Sequence, residues 1–177
     1  WYYELYPILT GKSESQLRSG IGEYYDNCLS LGINTVYVHV RPFGDAIYKS
    51  DYFPWSKYCT GYIGKDPGYD PLKVMIDEAH ARGISFQAWV NPLRCYYEDD
   101  APDVSTTYKT GQWYDTKDGD YIVKVKSYWW LNPAYKEVTD LIANGAAELV
   151  SKYDVDGVHI DDYFYPTTEA YFDSIAF

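Results

Sequence analysis

The chain has 177 residues, about one domain's worth, and 46% of them are hydrophobic, enough for a real core and too many for a disordered segment. A formal net charge of −11 disfavours nucleic acid and anionic lipid surfaces, which call for a basic face. No run approaches the roughly 18 apolar residues of a membrane span, and the three cysteines form no CxxC pair, which speaks against a zinc site.

Residues 1–6 (WYYELY) read as a first strand, opening on Trp1 without an initiator methionine, as in a trimmed segment. Ser13 and Gln16 fit a capping box, and Leu17, Ile21, Tyr24, Cys28 and Leu29 follow at helical spacing until Gly32. Residues 33–40 (INTVYVHV) are rich in β-branched side chains and make the clearest strand. A long aromatic loop leads to Asp70, which caps a helix starting on Pro71. Its inner face is Leu72, Met75, Ile76 and Ala79, and Gly83 ends it. Residues 84–90 (ISFQAWV) form the third strand. A second long loop, residues 91–131, holds a small hairpin expected near Gly119. Asn132 and Pro133 repeat the cap-then-proline signature ahead of a helix with Val138, Leu141, Ile142 and Leu149 on one stripe. Val158, His159 and Ile160 make the fourth strand.

Strand and helix in alternation predict an α/β fold with a parallel sheet, of the (β/α)8 TIM-barrel type. The chain supplies about the first four βα units. The long loops follow strands, and long loops in compact domains are usually functional. They lie on the carboxyl side of the sheet, where such barrels build their active sites.

The chemistry concentrates at three strand ends. DGVHIDDYFYP, residues 156–166, places the adjacent carboxylates Asp161 and Asp162 after a buried strand, an expensive position unless they do chemistry, bind a metal or meet a cation. By strand periodicity His159 and Asp161 face one side, the barrel interior. His159 then positions Asp161 or shares a metal with it. The second strand ends in RPFGDA: Arg41 enters the barrel mouth to bind an anion or sugar hydroxyl or to hold Asp161 ionised, or else forms a structural ion pair under the loop. Asp45 is a ligand or an Asx-turn residue beside Gly44. The third strand ends in AWVNPLR, where Asn91 suits a sugar hydroxyl, Arg94 is a second cation at the mouth, and Trp89 is a stacking platform or core. Aromatics make up 19% of the chain, with 22 Tyr and 6 Trp. Exposed rings such as Trp55 and Tyr163 suit stacking on sugars, or else pack on one another.

Four stretches together resemble the glycosyl hydrolase-like 10 family: NTVYVHVRPFGDAIYKSDYFPWS (34–56), GYDPLKVMIDEAHARGISFQAWVNPLR (68–94), WLNPAYKEV (130–138) and DVDGVHIDDYFYP (154–166). They cover most of the chain in family order. The resemblance implies a (β/α)8 barrel, action on glycosidic bonds and an exported or cell-envelope protein, with some relatives thought to act on peptidoglycan glycan strands. It implies that residues 1–177 are the N-terminal half of a catalytic domain whose barrel continues through four more strands. A more distant likeness to α-amylase-like barrels places the nucleophilic Asp on Asp161, with the acid on a fifth strand.

The reading is therefore a glycoside hydrolase with Asp161 and Asp162 as catalytic carboxylates. Arg41, Asp45, Trp55, Trp89, Asn91, Arg94, His159 and Tyr163 bind substrate, with no metal or cofactor. Its partner is a glycan, with no nucleic acid and no membrane span in this segment. The alternatives are a non-catalytic glycan-binding barrel domain and a metal-dependent hydrolase using His159 and Asp161.

Overall fold

The computed structural model describes residues 5–97, 107–116 and 120–176. Helix α1 (Leu5–Leu9) and helix α2 (Glu14–Ser30) precede strand β1 (Thr35–Arg41). Helices α3 (Lys57–Thr60) and α4 (Pro71–His80) lead to strand β2 (Ser85–Val90). An excursion then carries β3 (Arg94–Tyr97), α5 (Lys109–Thr116), β4 (Ile122–Val125) and β5 (Tyr128–Leu131). Helix α6 (Lys136–Lys152) returns the chain to β6 (Gly157–Ile160), and a short 3-10 turn comes last at Ala170–Phe172.

β1, β2 and β6 form a parallel sheet in that order, and the excursion forms a separate antiparallel sheet in the order β3-β5-β4. Each parallel step is bridged by a helix, α4 between β1 and β2 and α6 between β2 and β6, which is three consecutive strands of a parallel barrel. No helix among the described residues is long and apolar enough to cross a membrane.

The local signals explain the elements. Ser13 caps α2 in a complete capping box with Gln16. Asp70 Oδ1 accepts the Lys73 amide at 3.0 Å, with Pro71 in the first turn of α4. Val36, Val38, Phe86 and Ala88 are buried in one core with Leu72, Met75 and Ala79 of α4, Leu17, Ile21 and Tyr25 of α2, and Val138, Leu141 and Leu149 of α6. Each such side chain contributes about 1.5–3 kcal/mol. This core holds the strands in register and so fixes where their carboxyl ends lie.

Three expectations are corrected. Leu5 and Tyr6 lie in a helix, not a strand: Leu5 and Leu9 are both fully buried at an i, i+4 spacing, and Pro7 falls where a first turn tolerates it. The rest of that expected strand, residues 1–4, lies outside the described residues. Asn132 does not cap α6. Its Oδ1 accepts the Ala134 amide at 3.1 Å, its Nδ2 donates to the Phe172 carbonyl at 2.9 Å, and the helix begins later, after Tyr135. The hairpin is β4–β5, turning at Lys126 and Ser127, and β3 makes it a three-stranded sheet; Gly119 itself lies outside the described residues.

Candidate active site at the carboxyl ends of the parallel strands

Register sets the interior face. His39, Trp89 and His159 stand in one row across β1, β2 and β6. His39 stacks on the Trp89 indole at 4.3 Å between centroids, and His159 meets Trp89 edge-on at 5.9 Å and Tyr37 at 5.0 Å. One layer below, Gln87 lies over Gly157, where a Cβ would fall 2.1 Å from Gln87 Oε1. Burial is the main cause that lowers the His39 pKa, to about 3, with Asn91 opposing it. The imidazole is therefore neutral near pH 7 and serves as a flat floor rather than a charge.

Asn91 follows β2 and is almost fully buried. Its Oδ1 accepts the Trp89 indole N–H at 3.1 Å, its Nδ2 donates to the Pro42 carbonyl at 3.4 Å, and its main-chain N–H donates to the Arg41 carbonyl at 3.0 Å. It ties the ends of β1 and β2 together and orients Trp89. Its polar groups point into the protein, so it is a positioning residue more than a sugar ligand.

Arg41 is the clearest departure from the sequence reading. Strict alternation would put it on the interior face with His39. The β1–β2 register shifts between these two residues, so that His39 pairs with Trp89 and Arg41 with Val90. One extra residue in a strand flips the next side chain to the other face. Arg41 therefore points toward α6, 1% exposed, with its guanidinium 4.4 Å from the Phe53 ring centroid. Gly145 makes the room, since a Cβ there would lie 2.8 Å from Arg41 Nη1 and 2.4 Å from Phe53. Burial lowers the Arg41 pKa against the charges of Tyr48, Asp45 and Glu148. The guanidinium is a buried cation packed on the Phe53 ring, away from the barrel mouth.

The two carboxylates follow β6 directly. The Asp161 amide continues the pairing by donating to the Val90 carbonyl at 3.4 Å, and its side chain is exposed. Asp162 takes φ +54°, left-handed backbone that non-glycine residues rarely adopt. This turn has two effects. The Asp162 amide donates to Asp161 Oδ1 at 2.7 Å, and the Asp162 carboxylate forms an ion pair with Arg94 of β3. Arg94 is held over the rings of Tyr128 at 5.0 Å and Trp130 at 5.4 Å, which fixes the guanidinium by cation–π contact. Burial pushes the Asp162 carboxyl above its ordinary value; Arg94 opposes this and Asp161 adds to it.

Asp162 borders a cavity of about 420 Å³ walled by Tyr128, Trp130, Phe164, Tyr165 and Pro166. The size and the aromatic lining suit a small-molecule or saccharide site. The Trp130 indole N–H is buried beside it with no hydrogen-bond partner among the described residues, and a buried orphan donor marks a place where a ligand or water belongs.

The remaining expected residues lie apart. Asp45 is buried and its Oδ1 accepts the amide of Phe43, two residues before it, at 3.2 Å, a bond that ties the loop rather than the Asx turn expected there. Trp55 is half-buried against the main core, its backbone bridging Ala46. Tyr163 is exposed and stacks on Phe164 at 4.5 Å. Among the described residues no three His, Cys, Asp or Glu side chains gather into a metal-binding group. The structure thus brings Asp161, Asp162 and Arg94 together above the His39, Trp89 and His159 row, with Asn91 between. Sequence reasoning missed His39, Tyr128 and Trp130. His39 was legible two residues after Tyr37 on the same face, and Tyr128 and Trp130 alternate along YWWL toward one side.

The family model described as glycosyl hydrolase-like 10 matches residues 12–176. The chain is 38% identical over 162 residues to glycosyl hydrolase YngK of Bacillus subtilis, covering 91% of this chain and 31% of that protein. It is 42% identical over 144 residues to glycosyl hydrolase DigH of Escherichia coli K12, covering 79% and 33%. It therefore spans about a third of the length of these curated relatives. Among solved structures it is similar to a gamma-CGTase of Bacillus clarkii, with TM-score 0.55, 15% identity, and coverage of 85% of this chain and 25% of that one. It is also similar to the noncanonic maltogenic α-amylase AmyB of Thermotoga neapolitana, with TM-score 0.54, 13% identity, and coverage of 98% and 43%. At such identities these two likenesses concern the fold, a part of a TIM barrel.

Proposed function

This chain belongs to the glycosyl hydrolase-like 10 family, and on that premise we propose that it forms the first half of a (β/α)8 catalytic domain hydrolysing O-glycosidic bonds of a polysaccharide. The substrate class proposed is the glycan strand of peptidoglycan, acted on in the cell envelope or outside the cell, as the family resemblance implies. One observation carries the catalytic part. Asp161 is an exposed carboxylate at the carboxyl end of a parallel strand, oriented by the amide of Asp162 at 2.7 Å, and Asp162 borders an aromatic-walled cavity.

Asp161 is the nucleophile or the carboxylate that stabilises the oxocarbenium-like transition state. A glycosidase needs a second carboxyl, about 5–5.5 Å away when it retains configuration and about 6.5–9.5 Å away when it inverts. The Asp162 carboxylate is turned onto Arg94, so it supports Asp161 rather than sharing its work. The general acid is then assigned to a later strand of the barrel. Arg94, Tyr128 and Trp130 shape the sugar cleft, and Trp89 and His159 form its floor.

Asp161→Asn in the intact protein tests this. Hydrolysis of peptidoglycan glycan strands is expected to fall by about 10³-fold or more, with the thermal unfolding midpoint unchanged. Wild-type turnover by the variant would exclude Asp161 as the catalytic carboxylate. The same aromatic-walled cavity also suits the second reading, a glycan-binding barrel without catalysis. Glycan binding by wild type with no hydrolysis of any α- or β-linked polymer would favour it.

A further inference from the structure

We infer that Asp162 acts through its backbone: it is a positioning residue whose left-handed conformation, clamped by Arg94, delivers an N–H to Asp161. The inference rests on the assignment of Asp161 as the catalytic carboxylate.

Three observations carry it. Asp162 has φ +54°, and only one other described non-glycine residue, Lys126 in a hairpin turn, has a positive φ. Strained backbone persists only where its surroundings over-determine it, and it collects at functional sites. The second observation is what the conformation achieves, a 2.7 Å hydrogen bond from the Asp162 amide to Oδ1 of the preceding residue's carboxylate. In an extended strand, successive residues project to opposite faces. An Asp162 that simply continued β6 would carry its carboxylate away from the face Asp161 uses. The third is what holds it. The Asp162 carboxylate is ion-paired to Arg94, and Arg94 is itself fixed over Tyr128 and Trp130 of the antiparallel sheet. The second sheet thereby reaches the catalytic strand through one ion pair. The chemistry fits: an N–H held on one oxygen of a nucleophilic carboxylate fixes its rotation and leaves the other oxygen to face the anomeric carbon. Misplacement of a reacting group by about 1 Å can cost 10²-fold in rate.

Two roles for Asp162 make opposite demands on substitution. A catalytic role needs the carboxylate. A positioning role needs the left-handed backbone, which glycine adopts freely and asparagine more readily than other residues, and which alanine resists. The test is a series in the intact protein, Asp162→Gly, Asp162→Asn and Asp162→Ala, assayed for kcat and KM on peptidoglycan glycan strands beside Asp161→Asn. The expected order is Gly and Asn within about threefold of each other, both at least tenfold above Ala. The loss in Ala should fall on kcat with KM little changed. Amide proton shifts report the hydrogen bond directly. The residue-162 amide should stay downfield in Gly and Asn and move upfield in Ala, and thermal unfolding checks that each variant is folded. If Gly and Asn are as inactive as Ala while folded, with the residue-162 amide still downfield, the carboxylate itself is required and the inference is overturned; inactivity with the amide moved upfield would show that the Arg94 clamp is what delivers the N–H. An Asp161→Asn variant with full activity would overturn the underlying assignment instead, so the two failures are distinguishable.

Discussion

The two ends of the parallel sheet carry similar carboxylates in opposite condition. At the amino end, Asp156 Oδ2 accepts the Phe86 amide at 2.6 Å and faces His80 Nε2 at 3.0 Å. The Phe86 bond is the first cause that holds the Asp156 carboxyl below its ordinary value. Nearby, Arg18 and Arg82 of the α2–α4 surface share Glu78 at 2.7 and 2.6 Å. At the carboxyl end, Asp162 sits on strained backbone, its carboxyl is raised by burial, and the Trp130 indole beside it has no described partner. The amino-end groups are satisfied and favour the folded state. The carboxyl-end groups are arranged at a cost to it. In a barrel of this kind the amino face serves stability and the carboxyl face serves chemistry, and here the division shows in which way each aspartate's proton affinity moves.

The largest effect on stability tests whether Arg41 belongs to the site or to the scaffold. Gly145→Ala places a Cβ 2.4 Å from the Phe53 ring and 2.8 Å from Arg41 Nη1, both enclosed in the core. Overpacking of this kind should cost about 3 kcal/mol, which for a chain of this size lowers the unfolding midpoint by about 10 °C. A midpoint equal to wild type would mean that Arg41 and Phe53 can leave, and Arg41 would return as a group for the barrel mouth.

Arg41 also shows where the sequence stops being legible. The three parallel strands were readable because a glycine (Gly32, Gly83, Gly157) stands at the entry to each, with the Asp70–Pro71 cap marking the helix between the first two. The proposed site's position came with them, since the segments after those strands carry Asn91, Arg94 and Asp161. Arg41 was misplaced because a one-residue register shift leaves no mark on a period-2 pattern, yet it reverses the face of every later side chain in the strand. Leu5 and Tyr6 were read as strand because a helix of five residues has too short a period to recognise, and its burial comes from tertiary contact. The Arg94–Asp162 pair joins two sheets across a long loop, and no spacing rule foresees it. The left-handed turn at Asp162 was equally hidden, because Asp-Asp-Tyr carries no glycine to announce it.

A smaller effect should come from the amino end. Asp156→Ala removes the acceptor of the Phe86 amide and the partner of His80 at the entry to β6. The side chain is 42% exposed, so solvent replaces part of what is lost, and about 1 kcal/mol is expected. Turnover of the intact protein should be unaffected, because nothing at that end touches the cleft. Denaturant unfolding and the glycan-strand assay measure the two quantities. A variant with wild-type stability but reduced hydrolysis would reverse the division between the two ends.

The smallest effect is the sharpest test of that division, because it predicts two slopes of opposite sign. The folded-state pKa of Asp156 is depressed, so the unfolded chain binds its proton more tightly. Its stabilisation is full above the ordinary carboxylate value and is lost as pH falls through that value and below. Asp162 is raised, so the folded chain binds its proton more tightly. Its contribution is therefore most favourable at low pH and declines as pH rises from the ordinary carboxylate value upward. Unfolding free energies of wild type, Asp156→Asn and Asp162→Asn should be measured from about pH 3 to about pH 6, spanning the ordinary carboxylate range. The advantage of wild type over Asp156→Asn should grow with pH, and its margin relative to Asp162→Asn should shrink. Each slope must stay below about 1.4 kcal/mol per pH unit, the limit for one proton, and the half-exposed Asp156 should reach only a fraction of it. Slopes of the same sign would mean that the Arg94 pair outweighs burial at Asp162. The carboxyl-end aspartate would then be an ordinary stabilising ion pair like those at the other end of the sheet.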